Sequence, residues 1–190
     1  MEPVTAVRGR ISVLDRDDVD TDQILPKQFL KRMSRQGFGQ FLFYDWARQP
    51  GWSLPVNPIL AVGRNFGCGS SREHAAWALF DYGFRAIVGP SFGDIFYFNC
   101  TKIGLLPVAL PDREVGAVME ADDAEIDLHA RSVTWDGGST TFDIDPRIQH
   151  SLLNGLDDVA ATLRHADEIT EHEVTKTMHL LNTLDMARAL

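Results

Sequence analysis

Between residues 59 and 110 short apolar runs alternate with stretches of helical length, and this alternation restricts the fold more than any other feature of the chain. Ile59-Leu60-Ala61-Val62-Gly63 reads as a short buried strand. Residues 71–82 contain Ala75, Ala76, Trp77, Ala78, Leu79, Phe80 and Tyr82, a helix pattern apolar on nearly every side and therefore deeply packed. Gly83 is placed to end that helix. Residues 85–89 read as a strand, 92–102 as a helix and 104–110 as a third strand. Parallel strands need a crossover and a helix supplies one, so this order implies an α/β layer around a largely parallel sheet.

The flanks are less regular. Residues 6–14 show some alternation and read as a first strand. Residues 15–23 are turn-like and acidic, with Asp15, Asp17, Asp18, Asp20 and Asp22. Pro26 sits where a short helix over 27–33 can begin. Residues 125–128, 131–135 and 140–145 read as shorter strands, and Asp136-Gly137-Gly138 supplies a hairpin between the last two. Leu156, Val159, Ala160 and Leu163 recur at helical spacing, as do Val174, Met178 and Leu181. The expected organisation is one domain over 1–190 with a helical C-terminal region from about 147.

Composition excludes several classes. Lys and Arg number 18 against 27 Asp and Glu, a formal charge of −9. That balance argues against nucleic acid or an anionic membrane surface as partner, since both attract basic surfaces. No stretch approaches the roughly 20 apolar residues of a membrane span, and the first ten residues lack the pattern of a secretory signal. A soluble cytoplasmic protein is expected. The two cysteines, Cys68 and Cys100, exclude a disulfide-dense scaffold, a CxxC redox pair and an all-cysteine metal site within one chain.

Chemistry concentrates in Gly63-Arg64-Asn65-Phe66-Gly67-Cys68-Gly69-Ser70-Ser71-Arg72-Glu73-His74-Ala75. Gly67 and Gly69 permit tight backbone geometry and close approach of a ligand. Two serines and an arginine follow at the expected helix start, where free backbone N–H groups favour an anion and Arg72 can fork onto a carboxylate. The same residues have a plainer reading: Ser70-x-x-Glu73 has the spacing of a capping box. A cap requires neither flanking glycine nor Arg72, and the two readings are compatible.

Residues 63–75 resemble the signature of the isopropylmalate isomerase (3-isopropylmalate dehydratase) small subunits, of the aconitase superfamily. Asp20-Thr21-Asp22-Gln23-Ile24-Leu25-Pro26-Lys27-Gln28-Phe29-Leu30, Ser91-Phe92 through Asn99, Lys102-Ile103-Gly104-Leu105-Leu106-Pro107-Val108 and Leu152-Leu153-Asn154-Gly155-Leu156-Asp157-Asp158 resemble further stretches of that family. Residues 113–140 and about the last ten carry no such motif.

The resemblance implies an aconitase-type swivel domain, α/β with layered β/β/α structure and C-terminal helices. It implies interconversion of 2-isopropylmalate and 3-isopropylmalate by dehydration and rehydration, a step of leucine biosynthesis. It further implies a [4Fe–4S] cluster held by three cysteines. Two cysteines cannot supply that set, so no cofactor is expected on this chain and the cluster is expected on a large partner subunit, in a heterodimer. By position, Ser70 resembles the catalytic base, and Ser71 and Arg72 the substrate-carboxylate ligands. Thr21, Asp22, Gly67 and Gly69 would shape the site. A specificity loop is implied after Pro26, where Leu30 and Met33 could contact an isopropyl group; the basic Lys31, Arg32 and Arg35 could instead serve a second carboxylate or be merely solvated. No metal ligand is expected.

Other residues favour bland roles. Cys68 reads as a small buried thiol, His74 as a packing residue, and Lys102 as complementing a helix C-terminus. Asn99 lies near the end of the same helix. The acidic 15–22 loop lacks the EF-hand ligand series. The competing functions are a related 2-hydroxy-diacid hydro-lyase of homoaconitase or citraconate type, a non-catalytic swivel-domain regulatory module, and a stand-alone anion-binding protein. An isolated chain could also pair with itself through its partner-facing surface.

Overall fold

A computed structural model describes residues 1–31, 36–70 and 72–176. Met1–Gly155 form one compact unit and Leu156–Leu190 a second. The first contains strands β1 (Ala6–Leu14), β2 (Ile59–Val62), β3 (Ala86–Gly89), β4 (Leu106–Ala109), β5 (Asp123–Asp127), β6 (Ser132–Trp135) and β7 (Gly138–Thr141). Its helices are α1 (Thr21–Ile24), α2 (Glu73–Tyr82), α3 (Asp94–Ile103), α4 (Asp112–Glu120) and α5 (Pro146–Leu153). Single 3-10 turns occupy Lys27–Phe29 and Gly39–Phe41.

The strands form one sheet in the order β4-β3-β2-β1-β5-β6-β7. β1 to β4 pair in parallel, while β5, β6 and β7 form an antiparallel meander. The α/β expectation therefore holds, and the expectation of a largely parallel sheet is corrected to a mixed one. β1 joins the halves. Its first part, Ala6–Arg10, runs antiparallel to β5, and Ile11–Leu14 run parallel to β2. Gly9, at φ +140°, stands near the change of partner, and a Cβ there would come within 2.6 Å of Pro58 Cγ.

Both faces of the parallel half are covered, which explains its uninterrupted apolar runs. Leu60, Val62 and Ile87 pack with Ala75, Ala76, Leu79, Phe96 and Cys100, from α2 and α3. Ile59, Ala61, Ala86 and Val88 face the other way, against Val115 and Val118 of α4. Full burial of a side chain such as Leu60 is worth about 1.5–3 kcal/mol. The hairpin turns at Asp136-Gly137, with Gly137 at φ +96°, and Trp135 pairs Gly138. The third strand of this half thus starts two residues before the expected 140 and ends at Thr141. Sequence reasoning assigned no helix to 112–120.

In the second unit α6 (Asp158–Leu163) begins at an Asp157 cap, and residues 166–176 are helical. The helical expectation holds there, with Val159, Leu163 and Val174 exposed. Met178 and Leu181 lie outside the described residues. No helix among the described residues is long and apolar enough to cross a membrane.

Candidate functional site

Three loops leave the carboxyl ends of β1, β2 and β3 and are stitched together beyond the sheet, where open α/β folds bind ligands. Asp18 N donates to Arg64 O at 2.9 Å, Gly67 N to Val19 O at 2.7 Å and Thr21 N to Cys68 O at 3.0 Å. Asp17 Oδ1 accepts from Arg64 N at 2.6 Å. From the third loop, Ser91 O accepts from Phe66 N at 3.1 Å and Ser91 Oγ from Asn65 N at 2.9 Å. Gly93 N returns a bond to Phe66 O at 2.9 Å. The glycine-rich loop is thus laced on both sides.

Gly67 and Gly69 stand at φ +75° and +85°, where a side chain is strained. Gly67 is also backed by the Phe96 ring, which a Cβ would overlap. These two glycines let the chain turn outward and present Ser70, which is exposed. The Ser70 carbonyl accepts from Thr21 Oγ1 at 2.9 Å, and Thr21 itself is buried. This bond and the pairing of Asp20 with Cys68 hold Ser70 in place, and Arg72 is extended, at φ −129° and ψ 119°.

Consequently α2 starts at Glu73, not at 71, and its N-cap is Arg72 with no side-chain capping bond. The Ser70–Glu73 capping box does not form. A capping box exists instead on the neighbouring loop, where Asp20 caps α1 and the Gln23 side chain bonds back to the Asp20 N–H at 2.9 Å. Among the described residues, no side chain caps the first turn of α2, which begins near Ser70. The short helix expected over 27–33 is a 3-10 turn at Lys27–Phe29 as far as it is described.

Arg72 is mostly buried and its Nη1 bonds Asp22 Oδ1; Asp22 Oδ2 also faces Lys27 Nζ at 3.3 Å. The Arg72 hydrogen bond holds the Asp22 carboxyl below the usual carboxylate range against the opposing effect of burial. The same bond pushes the Arg72 guanidinium up. Both groups are ionised at neutral pH. Of the remaining site candidates, Leu30 is partly buried against the core on the α2 and α3 side of the sheet, and Lys31 is exposed. Ser71, Arg32, Met33 and Arg35 lie outside the described residues.

His74 packs on Phe38 and Trp77, with ring centroids 5.4 and 4.6 Å away, and burial pushes its pKa down. This is a packing environment. Asn99 is buried in α3, and Lys102 lies in its last turn. Cys68 and Cys100 are free thiols. Burial raises both, and the nearby Asp20 and Asp18 raise Cys68 further, so neither is a ready thiolate. A cluster held by three cysteines does not fit this donor set, in which Cys100 is enclosed in the core. Sequence reasoning missed Lys27 and Ser91. The Asp20-x-x-Gln23 spacing was the available signal for the cap on the first loop.

The fold class is that of an aconitase C-terminal domain, and the family model of that description matches residues 49–113. A 3-isopropylmalate dehydratase small subunit of Halalkalibacterium halodurans is 50% identical, over 93% of this chain and all of its own length. The Rubrobacter xylanophilus protein of the same description is 48% identical, over 97% of this chain and all of its own. A crystal structure of 3-isopropylmalate dehydratase from Methanocaldococcus jannaschii superposes with a TM-score of 0.69 at 25% identity, covering 88% of this chain and 99% of that one. The chain belongs to the family of 3-isopropylmalate dehydratase small subunits.

Proposed function

We propose that this chain is the small subunit of a cytoplasmic hydro-lyase that interconverts 2-isopropylmalate and 3-isopropylmalate in leucine biosynthesis. It works as a heterodimer with a large subunit, and the iron–sulfur cluster resides there. The observation that carries the reading is the exposed Ser70 near the start of α2, which no side chain among the described residues caps, two residues before a nearly buried, pre-paired Arg72.

In this reading Ser70 takes the C–H proton of the diacid. The partial positive charge of the open helix start favours its alkoxide by about 0.3–1 kcal/mol. Arg72 grips one substrate carboxylate, and Ser71 supplies a second contact. Thr21 fixes Ser70 by its carbonyl, leaving the hydroxyl free to turn toward substrate. Gly67 and Gly69 set the loop's height. Leu30, Lys31, Arg32 and Met33 belong to the segment that selects the side chain. The cysteine count supports the placement of the cluster on the partner.

A positioned base contributes about 10²–10⁴-fold in rate. Ser70→Ala is therefore expected to lower turnover of the assembled enzyme by about 10²-fold or more, with assembly measured by gel filtration unchanged. Near-normal turnover in the assembled variant would remove Ser70 from this role.

A further inference from the structure

Asp22 lies between two cations, and the arrangement exceeds what a structural ion pair requires. Its Oδ1 meets Arg72 and its Oδ2 faces Lys27 Nζ at 3.3 Å. Asp22 is itself held from behind: its backbone N–H donates to Asp20 Oδ1 at 2.7 Å, in the first turn of α1. The Arg72 side chain is 13% exposed, whereas that of Asp22 is 37% exposed. Among the described residues Asp22 is the only carboxylate within ion-pair distance of Arg72.

Guanidinium carries five N–H donors in a rigid plane. One bond from Nη1 fixes that plane and leaves donors for a second carboxylate. An arginine ordered before its ligand arrives does not lose that freedom on binding. Pairing has an opposite effect as well, because an incoming anion meets a neutral pair. Lys27 offsets this by adding a second cation at the other carboxylate oxygen of Asp22. The other nearby carboxylate, Asp20, bonds the backbone N–H groups of Asp22 and Gln23 and acts on Arg72 by its charge alone, without a direct contact.

We propose that Asp22 is a positioning residue that holds the Arg72 guanidinium aimed at one carboxylate of a diacid substrate, while Lys27 keeps the pre-paired arginine attractive to an anion. The inference rests on Arg72 as the carboxylate ligand of the proposed function. It deepens that reading by assigning Lys27 an electrostatic role.

The test uses the chain assembled with its large subunit, with rates taken per assembled enzyme. Asp22→Asn is expected to raise KM for 2-isopropylmalate about tenfold with kcat within about twofold, the pattern of lost ground-state binding. Asp22→Glu should recover part of it. Lys27→Gln is expected to raise KM severalfold and flatten the salt dependence of kcat/KM, and Lys27→Arg to restore both. An unchanged KM in Asp22→Asn, or a fall in kcat alone, would overturn the positioning role.

A second readout needs no substrate. In the isolated chain labelled with 15N-arginine, the Arg72 side-chain signals should show slow rotation in the native protein and fast averaging in Asp22→Asn. Equal mobility in both overturns the tether. A wild-type assembly inactive on 2-isopropylmalate would instead fail the functional reading, with the mobility comparison still deciding the tether.

Discussion

Gly67 concentrates two demands in one residue: its backbone lies at φ +75°, and the Phe96 ring occupies the space a Cβ would need. Gly51 provides a natural comparison, at φ +80° with nothing within 4 Å of a Cβ. Gly51→Ala carries only the backbone cost, about 1–2 kcal/mol. Gly67→Ala adds displacement of a core ring, so its total is expected at about 2–4 kcal/mol. Urea unfolding of the two variants measures the difference, and equal losses would show that Phe96 yields freely. The residue scale was also where sequence was most informative about the site. Gly67, Gly69, Ser70 and Arg72 stand together in one run, so their chemistry is visible without a fold. Lys27 was not visible in that way, because its partner Asp22 is defined by how α1 and the following turn fold.

At the scale of elements, β2, β3 and β4 were legible because burial on both faces leaves continuous apolar runs. The start of α2 was not. Ser70 and Glu73 satisfy a capping pattern, but the Ser70 carbonyl is committed to Thr21, from a loop about 50 residues earlier. A contact of that range has no local signature. α1 was hidden because Asp20 sits in an acidic run that reads as a turn, and α4 because its buried residues are few, Val115 and Val118. The mixed sheet was hidden for a further reason: β1 changes partner within one strand, near Gly9. Gly9→Val must leave φ +140° and displace Pro58, so it is expected to lower the thermal midpoint by several degrees, on the order of 2 kcal/mol. A midpoint equal to the parent's would show that β1 accommodates a side chain at this junction.

For the whole molecule, the proposed function implies an incomplete site. The proposed base is exposed and the proposed carboxylate ligand is pre-ordered, yet two free cysteines cannot hold a three-cysteine cluster. In the proposed function the chain presents half a site, with the sheet and its two helical layers acting as the platform that fixes three loops. In the proposed function, Arg72 and Lys27 are the cations that meet an anionic diacid on a chain whose formal charge is −9. The most direct test is reconstitution with the large subunit under anaerobic, iron-replete conditions, following 2-isopropylmalate dehydration by the absorbance of the unsaturated intermediate. The account predicts turnover only when both chains are present, and with 2-isopropylmalate above other 2-hydroxy diacids. Turnover by this chain alone, or by the pair with another diacid and not with 2-isopropylmalate, would contradict it.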